Sequence, residues 1–316
     1  MKPAFDLGTP AVTASDVKTD PQSRATAPAG AGYRAWIQAA RVRQWTKNLL
    51  VFAAPAAAGV RATTHSVTPL LVAYVVFCLL ATGTYLANDV HDADDDRRHP
   101  VKRHRPVASG VLAPRVALIA AGLSVASGLA LAITLNLETF AAASAYVTLN
   151  AAYTLWLRSI AVVELVAIAG GFVLRGIAGA TAADIAASHT FIAVVAVAAL
   201  FVVAGKRYAD FVDRSARLSR AVLDRYSRTS LRLVVIVACA ATLWTYYFWA
   251  LSGVHGPIAE ACEPTVIPFT LLLLRYAVIA CRGGGGAPEH VLFADRQLQV
   301  LRLVWLLLFA TATQGM

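Results

Sequence analysis

The chain has little charge and no paired cysteines. Only 15% of its 316 residues are charged, whereas ordinary soluble domains carry about a quarter. This shortage excludes an ordinary soluble globular protein. The four cysteines are Cys78, Cys239, Cys262 and Cys281. They show no CxxC spacing, which argues against a disulfide framework or a cysteine metal site and indicates small apolar side chains or unpaired thiols.

What the chain has in abundance is apolar sequence. Hydrophobic residues make up 58% of it, and the mean hydropathy is +0.61. This composition predicts an all-α polytopic membrane protein with about nine transmembrane helices. The candidate spans lie near 48–60, 67–88, 112–133, 138–157, 161–181, 190–205, 233–251, 265–281 and 299–313. Residues 1–32 are expected to form a disordered tail without a signal peptide, followed by a single integral-membrane domain at 33–316.

Basic residues alternate from loop to loop. Most of them precede the first span or lie in every second loop after it, and the intervening loops hold only Arg61. By the positive-inside rule, the amino terminus and the motif-bearing loops are cytoplasmic in a multi-pass protein of the cell inner (plasma) membrane. The net charge of +10 and the pI near 9.8 then indicate anionic lipids and phosphate substrates as partners, and no nucleic acid.

Five carboxylates follow the second apolar segment, in the run NDVHDADDD. Clustered acids at the mouth of a membrane helix are costly unless a cation is held there, and a hard divalent ion suits oxygen ligands best. At about 100° per residue, Asn88, Asp92 and Asp96 fall within roughly 80° of one another on a helix. Asp89 and Asp95 flank the same face, whereas Asp94 points elsewhere and is expected to be solvated. The spacing therefore predicts a divalent metal site.

Cations follow the acids closely, in the string RRHPVKRHRP. Lys102, Arg103 and Arg105 beside a carboxylate-bound metal suit a polyphosphate, because the metal bridges phosphate oxygens and the cations neutralise the remainder. The alternative is a cytoplasmic loop made basic to fix topology, with the acids balancing it. Lys47 and Asn48, at the start of the first segment, could reach the same cytoplasmic cavity.

A second charged group lies at the end of the sixth apolar segment, in AGKRYAD. On a continuing helix, Lys206, Asp210 and Asp213 share a face. Two acid-and-base clusters on one membrane side favour a functional role over a solvated ion pair between Lys206 and Asp210. Glu164 and Arg175 lie within the fifth segment. Charge at membrane depth favours a bundle-facing functional role, with a structural pair to another helix as the alternative.

Two other features have plain structural interpretations. Trp244, Tyr246, Tyr247 and Trp249 fit an aromatic belt at the outer membrane interface. The glycine run at 283–286 is expected to be a flexible linker, since it lacks the strand-before, helix-after setting of a phosphate cradle.

These motifs resemble those of a known family. NDxxDxxxD is similar to the first Asp-rich motif of the UbiA superfamily of intramembrane prenyltransferases. Four stretches resemble, in order, the decaprenyl-phosphate 5-phosphoribosyltransferase branch of arabinan-making actinobacteria: RQWTKNLLVFAAP, YLANDVHDADDDRRHPVKRHRPVASG, ELVAIAGGFVLRGIAG and VVAGKRYAD. The resemblance implies a UbiA-like bundle with a cytoplasm-facing polar cavity. One departure is informative, because aromatic prenyltransferases carry a second DxxxD where this chain has Lys206-xxx-Asp210.

The resemblance also implies a reaction. A Mg²⁺-dependent glycosyltransferase would move 5-phosphoribose from phosphoribosyl pyrophosphate (PRPP) to a polyprenyl (decaprenyl) phosphate and release pyrophosphate, in the arabinan donor pathway of the cell wall. The implied metal ligands are Asn88, Asp89, Asp92 and Asp96. The implied catalytic residues are Asp92, Asp96, Lys206 and Asp210. The implied substrate-binding residues are Lys47, Asn48, Lys102, Arg103, Arg105, Lys206, Arg207, Tyr208, Glu164 and Arg175.

Two other functions stay open. One is a UbiA-type aromatic prenyltransferase whose donor is a polyprenyl diphosphate and whose acceptor is a ring. The other is a transporter of anionic lipid without catalysis. Transporters usually place polar residues at the bilayer midplane or show paired repeats, whereas the charge here concentrates at one membrane face. Prenyl length and oligomeric state also stay open, including a homo-oligomer.

Overall fold

The chain folds as a bundle of α-helices. A computed structural model describes residues 29–60, 63–213, 221–253 and 262–314, and no strand occurs among them. The all-α prediction is therefore confirmed. The helices are α1 (Ala29–Ala40), α2 (Ala53–Ala57), α3 (Thr64–His91), α4 (Ala93–Arg98), α5 (Pro114–Ile133), α6 (Leu137–Leu155), α7 (Val163–Ala182), α8 (His189–Val212), α9 (Arg228–Phe248), α10 (Val266–Cys281), α11 (Pro288–Ala294) and α12 (Arg296–Gln314).

Six stretches of the described residues are long and apolar enough to cross a membrane. They are His65–His91, Pro114–Ile133, Val163–Ala182, His189–Val212, Arg228–Leu251 and Glu263–Cys281. Two further helices of 19 residues each, α6 and α12, coincide with expected spans. The expected count of nine is not confirmed. Residues 1–28 of the expected tail lie outside the described residues, and α1 already begins at Ala29.

The expected first span, near 48–60, is not a single α-helix. A 3₁₀ helix at Val42–Phe52 is followed by α2, which has only five residues. Asn48 is fully buried and its Oδ1 accepts a hydrogen bond from Arg175 of α7, which draws the segment into the bundle. Gly179 of α7 allows this approach, because a Cβ there would lie 1.8 Å from the carbonyl oxygen of the 3₁₀ helix beside it. The segment therefore lines the interior of the bundle.

Large hydrophobic cores hold the helices of the bundle together. The first packs α3, α6 and α7 with the 3₁₀ helix, and the rings of Phe77 and Tyr146 meet edge-on at 5.2 Å. The second packs α8, α9, α10 and α12, with Phe201 and Tyr276 edge-on at 5.4 Å. Between membrane-spanning helices, such contacts stabilise the bundle through van der Waals packing. The acid-bearing end of α3 packs in a third core, which contains Leu86, Ala93 and Val107, and Tyr208 of the second core anchors the carboxyl end of α8.

Helix starts are set by local capping. The Thr63 side chain accepts a hydrogen bond from the backbone N–H of Ser66, and the Ser66 hydroxyl accepts one in return from the backbone N–H of Thr63. Ser188 caps α8 in a similar way through the N–H of Phe191. Each such cap stabilises its helix by about 1 kcal/mol. The two longest described helices, α3 and α8, therefore begin at residues that the local sequence specifies.

The glycine run at 283–286 is packed against α8 and does not act as a loose linker. Gly285 is buried, and a Cβ there would lie 2.7 Å from the carbonyl oxygen of Gly205. Gly283 has φ +89°, in the region that favours glycine, and Gly286 lies against Ala209. The prediction of a flexible linker is wrong, because these glycines permit backbone-to-backbone contact. They place α11 beside the carboxyl end of α8.

Candidate active site

Four oxygen-bearing side chains, those of Asn88, Asp89, Asp92 and Asp96, form an oxygen stripe where α3 gives way to α4. Although α3 ends just before Asp92, backbone hydrogen bonds from Asp92 N to Asn88 O (2.9 Å) and from Asp96 N to Asp92 O (2.8 Å) keep the helical path. Asp89 is 2% exposed and Asp96 is 3% exposed. Asp94, expected to be solvated, is exposed. Asp95 does not flank the stripe as expected, because its side chain is exposed and pairs with Arg98.

Arginines from three other segments neutralise the oxygen stripe. The ion pairs are Arg41 with Asp89, Arg105 with Asp89 (3.3 Å) and with Asp96 (2.6 Å), and Arg158 with Asp92 (2.6 Å). Three acids thus meet three arginines, which compensates the cost of burying their charges. The expected phosphate contact Arg105 lies directly at the stripe.

The oxygen stripe fits a magnesium ion by donor type. Asn88 Oδ1 is buried and has no hydrogen-bond partner among the described residues, so it is an orphaned acceptor that a cation would satisfy. The arginines engage Oδ1 of Asp89, Oδ1 of Asp92 and Oδ2 of Asp96, which leaves each carboxylate a second oxygen. Within the described ranges, no three His, Cys, Asp or Glu side chains already converge as a metal centre.

A second polar group, the lysine pocket, consists of Gln44, Lys47, Lys206 and Glu289. Gln44 Nε2 donates to Glu289 Oε1 at 3.0 Å. Burial, together with the charge of Lys206, lowers the pKa of Lys47 from its ordinary 10.5 to about 8. Although partial burial disfavours the charged form of Glu289, its own backbone N–H, Gln44 and the two lysines hold the pKa of that carboxyl below its usual range. The pocket therefore gathers charges from three separate segments.

Arg175 lies within α7 and is 5% exposed. Its Nε donates to Asn48 Oδ1 (2.7 Å), its Nη1 to the carbonyl oxygen of Gly171 (2.8 Å) and its Nη2 to the hydroxyl of Tyr146 (2.8 Å). The guanidinium also lies 4.6 Å from the centre of the Tyr146 ring. No carboxylate pairs with Arg175 in the part of the chain that the structure describes. A buried cation held only by neutral groups is suited to bind an anion.

Glu164 and Arg207, both expected to contact substrate, pair with each other. Arg207 Nη2 lies 2.5 Å from Glu164 Oε2, and its Nη1 lies 3.1 Å from Asp210 Oδ2. Tyr226 donates to Glu164 Oε1 at 3.3 Å and accepts from the backbone N–H of Val162 at 2.7 Å. This buried pair ties α7 to α8 just beyond Lys206. It matches the structural alternative for Glu164, and we treat the pair as a positioning element.

Three other expected substrate contacts, Tyr208, Arg103 and Lys102, differ in burial. Tyr208 is buried in the second core, where its hydroxyl accepts from Arg228 Nε at 3.2 Å, so we assign it a packing role. Arg103 is exposed and donates to His104 at 3.3 Å. Lys102, the residue before Arg103, is half-buried.

An apolar cavity of about 850 Å³ opens among the 3₁₀ helix, α2, α7, α8, α9 and α12. Leu49, next to Asn48, and Phe172, whose ring centre is 5.7 Å from the Arg175 guanidinium, belong to its walls. The cavity therefore begins beside the polar groups and continues among apolar side chains.

Aromatic rings close the far part of this cavity. Tyr246 stacks on Phe269 at 3.8 Å, and its hydroxyl accepts from Trp305 Nε1 at 2.8 Å. Tyr246 and Trp249 are buried, so their expected place in an outer aromatic belt is wrong. Their rings find aromatic partners inside the bundle, whereas Trp244 is 70% exposed.

Known proteins show the same family features. A model described as the UbiA prenyltransferase family matches residues 49–283. The chain belongs to the UbiA prenyltransferase family. Decaprenyl-phosphate phosphoribosyltransferase of Mycolicibacterium smegmatis is 39% identical over 284 residues, which cover 85% of this chain and 89% of that protein. The protein of the same name from Corynebacterium glutamicum is 37% identical over 277 residues, which cover 85% and 83%.

A solved UbiA structure shares the fold. The UbiA homologue from Archaeoglobus fulgidus, bound to DMAPP and Mg²⁺, superposes with a TM-score of 0.70 at 16% identity, covering 89% of this chain and 100% of that chain. Membership of the UbiA family and six long apolar helices make this chain a multi-pass membrane protein.

Sequence reasoning missed four residues of this UbiA site. Arg41 and Arg158 counted only towards membrane orientation, although both share a membrane side with the acids they neutralise. Gln44 lies within RQWTKNLLVFAAP, and Glu289 lies in none of the family-like stretches. Because 245 residues separate the two, no local pattern links them. The glycine run just before Glu289 is the sequence feature that could have indicated this residue. Glycines that allow close backbone packing can hold the residue that follows them in one position.

Proposed function

We propose that the chain transfers 5-phosphoribose from PRPP to a polyprenyl phosphate, with decaprenyl phosphate as the expected acceptor, and releases pyrophosphate. The observation that carries this proposal is the place of Lys47, which lies close enough to Arg41 and Arg175 for both charges to lower its pKa. Arg41 pairs with Asp89 of the oxygen stripe, and the Arg175 guanidinium lies 5.7 Å from the ring of Phe172 in the wall of the apolar cavity. Two relatives that align with 85% of the chain are named for this transfer, which supports the same reaction here.

The donor is expected at the oxygen stripe and the lysine pocket. Asn88, Asp89, Asp92 and Asp96 would hold Mg²⁺, which when bound supplies charge neutralisation to pyrophosphate oxygens. Arg41, Arg105 and Arg158 already lie against the stripe and can donate charge-assisted hydrogen bonds to phosphate. Aromatic prenyltransferases that resemble this chain carry an acid at the position of Lys206. A lysine there suits a donor such as PRPP, which carries a 5-phosphate in addition to its diphosphate.

The chemistry depends on positioning and electrostatics. The acceptor is already a phosphate anion, so its attack on ribose C1 requires no strong general base. As the bond from C1 to pyrophosphate breaks, positive charge grows on the sugar and negative charge on the leaving group. Cations fixed around the leaving group stabilise that negative charge. The buried Glu164–Arg207 pair, with Asp210, holds the helix end that presents Lys206.

The lipid acceptor is expected in the apolar cavity. Its walls suit a prenyl tail, and a volume of about 850 Å³ lies within the usual range of ligand pockets. We assign the acceptor phosphate to Arg175, whose guanidinium lies 5.7 Å from the ring of Phe172 in the cavity wall and which lacks a carboxylate partner in the described chain. Asn48 and Tyr146 orient its guanidinium for that contact.

The site is proposed to face the cytoplasm at the plasma membrane. PRPP is a soluble polyanion, and the basic loops that carry the motifs are on the side predicted to be cytoplasmic. The same loops would contact anionic headgroups. The lipid-linked phosphoribose would then be available to the arabinan donor pathway.

Substrate choice tests the proposal against its two rivals. Purified protein is given labelled PRPP with decaprenyl phosphate, and separately polyprenyl diphosphate with 4-hydroxybenzoate. We expect product from the first pair. Product from the second pair alone would indicate an aromatic prenyltransferase, and lipid movement across vesicles without product from either pair would indicate a transporter.

Variants of the acidic run test the site itself. We expect Asp92→Ala and Asp96→Ala each to lower turnover about hundredfold or more, as removal of a transition-state contact does. Asp94→Ala is the matched control, since Asp94 lies in the same run but is exposed and pairs only locally with Arg97. Near-normal activity in both test variants would remove the oxygen stripe from the mechanism.

A further inference from the structure

We propose that Glu289, oriented by Gln44, accepts hydrogen bonds from the ribose hydroxyls of the donor and so selects a phosphoribosyl donor over a prenyl one. This inference rests on the proposed function and adds a specificity-determining residue to it. Glu289 lies outside the four family-like stretches of the sequence, and Gln44 lies in the first of them, RQWTKNLLVFAAP.

The backbone places Glu289 at the site by direct contact. Gly285 packs its backbone onto the carbonyl oxygen of Gly205, where an added Cβ would lie only 2.7 Å away. Gly205 is the residue before Lys206, and Gly286 lies against Ala209 one turn later. The start of α11 is therefore held beside the end of α8, and Glu289 follows within one turn.

The side chain is held as firmly as the backbone. Gln44 Nε2 donates to Glu289 Oε1 at 3.0 Å across 245 residues of sequence. Gln44 lies three residues before Lys47 in the 3₁₀ helix, and Glu289 is half-buried between that helix and α8. An ionised carboxylate offers about four lone-pair sites, so one amide hydrogen bond leaves acceptor capacity on the group.

A carboxylate in this place needs an explanation. The lysine pocket and the neighbouring arginines would bind phosphate groups, and a fixed negative charge among them repels the same groups. The cost is offset if the ligand also brings hydrogen-bond donors. PRPP carries two neighbouring hydroxyls on its ribose, whereas a prenyl diphosphate has none on its chain. A carboxylate accepts from such hydroxyls and has nothing to bind on a prenyl chain.

The competing role is a permanent counter-ion for Lys47 and Lys206. Both roles use the negative charge of Glu289. Only in hydroxyl recognition does the effect of Glu289 on activity depend on whether the donor carries its ribose hydroxyls. A cycle that combines protein variants with deoxy donors separates the two, because contributions that do not interact are additive.

The experiment measures kcat/KM for PRPP and for its 2-deoxy and 3-deoxy analogues. For wild-type protein we expect at least one deoxy donor to be about tenfold to hundredfold worse, the range for a hydrogen bond to a charged group. In Glu289→Gln, kcat/KM for PRPP should fall by a similar factor. Within that variant, kcat/KM for the corresponding deoxy donor should then be only about threefold or less below that for PRPP. Gln44→Ala should show part of the same loss of discrimination, since the carboxylate remains but is less well oriented.

Glu138→Gln is the control, because Glu138 is exposed at the start of α6, and its discrimination should equal that of wild type. Thermal unfolding midpoints establish that each variant is folded. Equal losses for PRPP and both deoxy donors in Glu289→Gln would overturn the inference and leave the counter-ion role, while PRPP turnover would still support the proposed function. Absence of PRPP turnover in wild-type protein would instead refute the proposed function.

Discussion

Removal of Arg207 should destabilise the protein sharply. Its guanidinium lies 2.5 Å from Glu164, and these residues are 3% and 0% exposed. In Arg207→Ala, the Glu164 carboxylate keeps the Tyr226 hydroxyl at 3.3 Å but loses its cation. Breaking a buried pair from one side costs about 3–5 kcal/mol, because this arginine no longer offsets the cost of burying the carboxylate. That is a large share of a typical unfolding free energy of about 5–15 kcal/mol.

Removal of both charges should be far less harmful. In Glu164→Gln combined with Arg207→Met, both partners of the buried pair are neutral, and the glutamine can still accept from Tyr226. Asp210 also loses Arg207, but its carboxylate is partly exposed to solvent. Replacing a whole buried pair with neutral side chains is often close to neutral. We therefore expect the double variant to recover most of the stability that Arg207→Ala loses.

Reversible denaturant unfolding in mixed micelles provides the assay, with the free energy of unfolding compared among variants. Arg98→Ala is the matched control, since it removes an ion pair of 2.7 Å to Asp95 that is exposed on both sides. Exposed pairs of this kind often contribute nothing measurable. If Arg207→Ala were as stable as Arg98→Ala, the buried pair would not have the structural role assigned to it.

Three further predictions concern the substrate sites. Because the pKa of Lys47 is lowered to about 8, the charged form is lost as pH rises through that value. kcat/KM for PRPP should therefore fall above pH 8 in wild type, but not in Lys47→Arg, whose guanidinium stays protonated. Gly179→Ala should lower the unfolding free energy by about 1–3 kcal/mol and raise KM for decaprenyl phosphate, because the added Cβ would meet the 3₁₀ helix. Gly122→Ala is the control and should change neither quantity, since an added Cβ there has nothing within 4 Å. Arg175→Met should raise KM for decaprenyl phosphate about tenfold or more and change KM for PRPP much less; equal changes would refute the assignment of the acceptor phosphate.

Local patterns in the sequence predicted the fold class and the acidic helix end. Long apolar segments require helices, since a bilayer leaves no other partner for backbone groups. The 3.6-residue period placed Asn88, Asp92 and Asp96 along one helical path, and backbone hydrogen bonds keep that path through the break at Asp92. Both features depend on neighbours a few residues apart.

Features set by distant partners could not be predicted. Asn48 is drawn into the bundle by Arg175, 127 residues away, which is why the first expected span is not one helix. Arg158 meets Asp92 across 66 residues. The packing of Gly285 depends on a backbone carbonyl in another helix. No local period carries information on such pairings.

Aromatic residues illustrate the same limit. The local composition around Tyr246 suits either a membrane interface or an interior cluster. Its stacking on Phe269 and its hydrogen bond with Trp305 decide for the interior. These partners come from α10 and α12, so their approach is a property of the whole bundle.

PRPP binding with and without divalent metal tests the central claim most directly. The affinity of purified protein for labelled PRPP is measured in Mg²⁺ and again after EDTA, for wild type, Asp92→Ala, Asp96→Ala and the exposed control Asp94→Ala. We expect EDTA to weaken binding strongly in wild type and in the control, and to have little further effect on the two stripe variants. Affinity that is unchanged by EDTA in wild-type protein would contradict a metal-assisted donor site at the oxygen stripe.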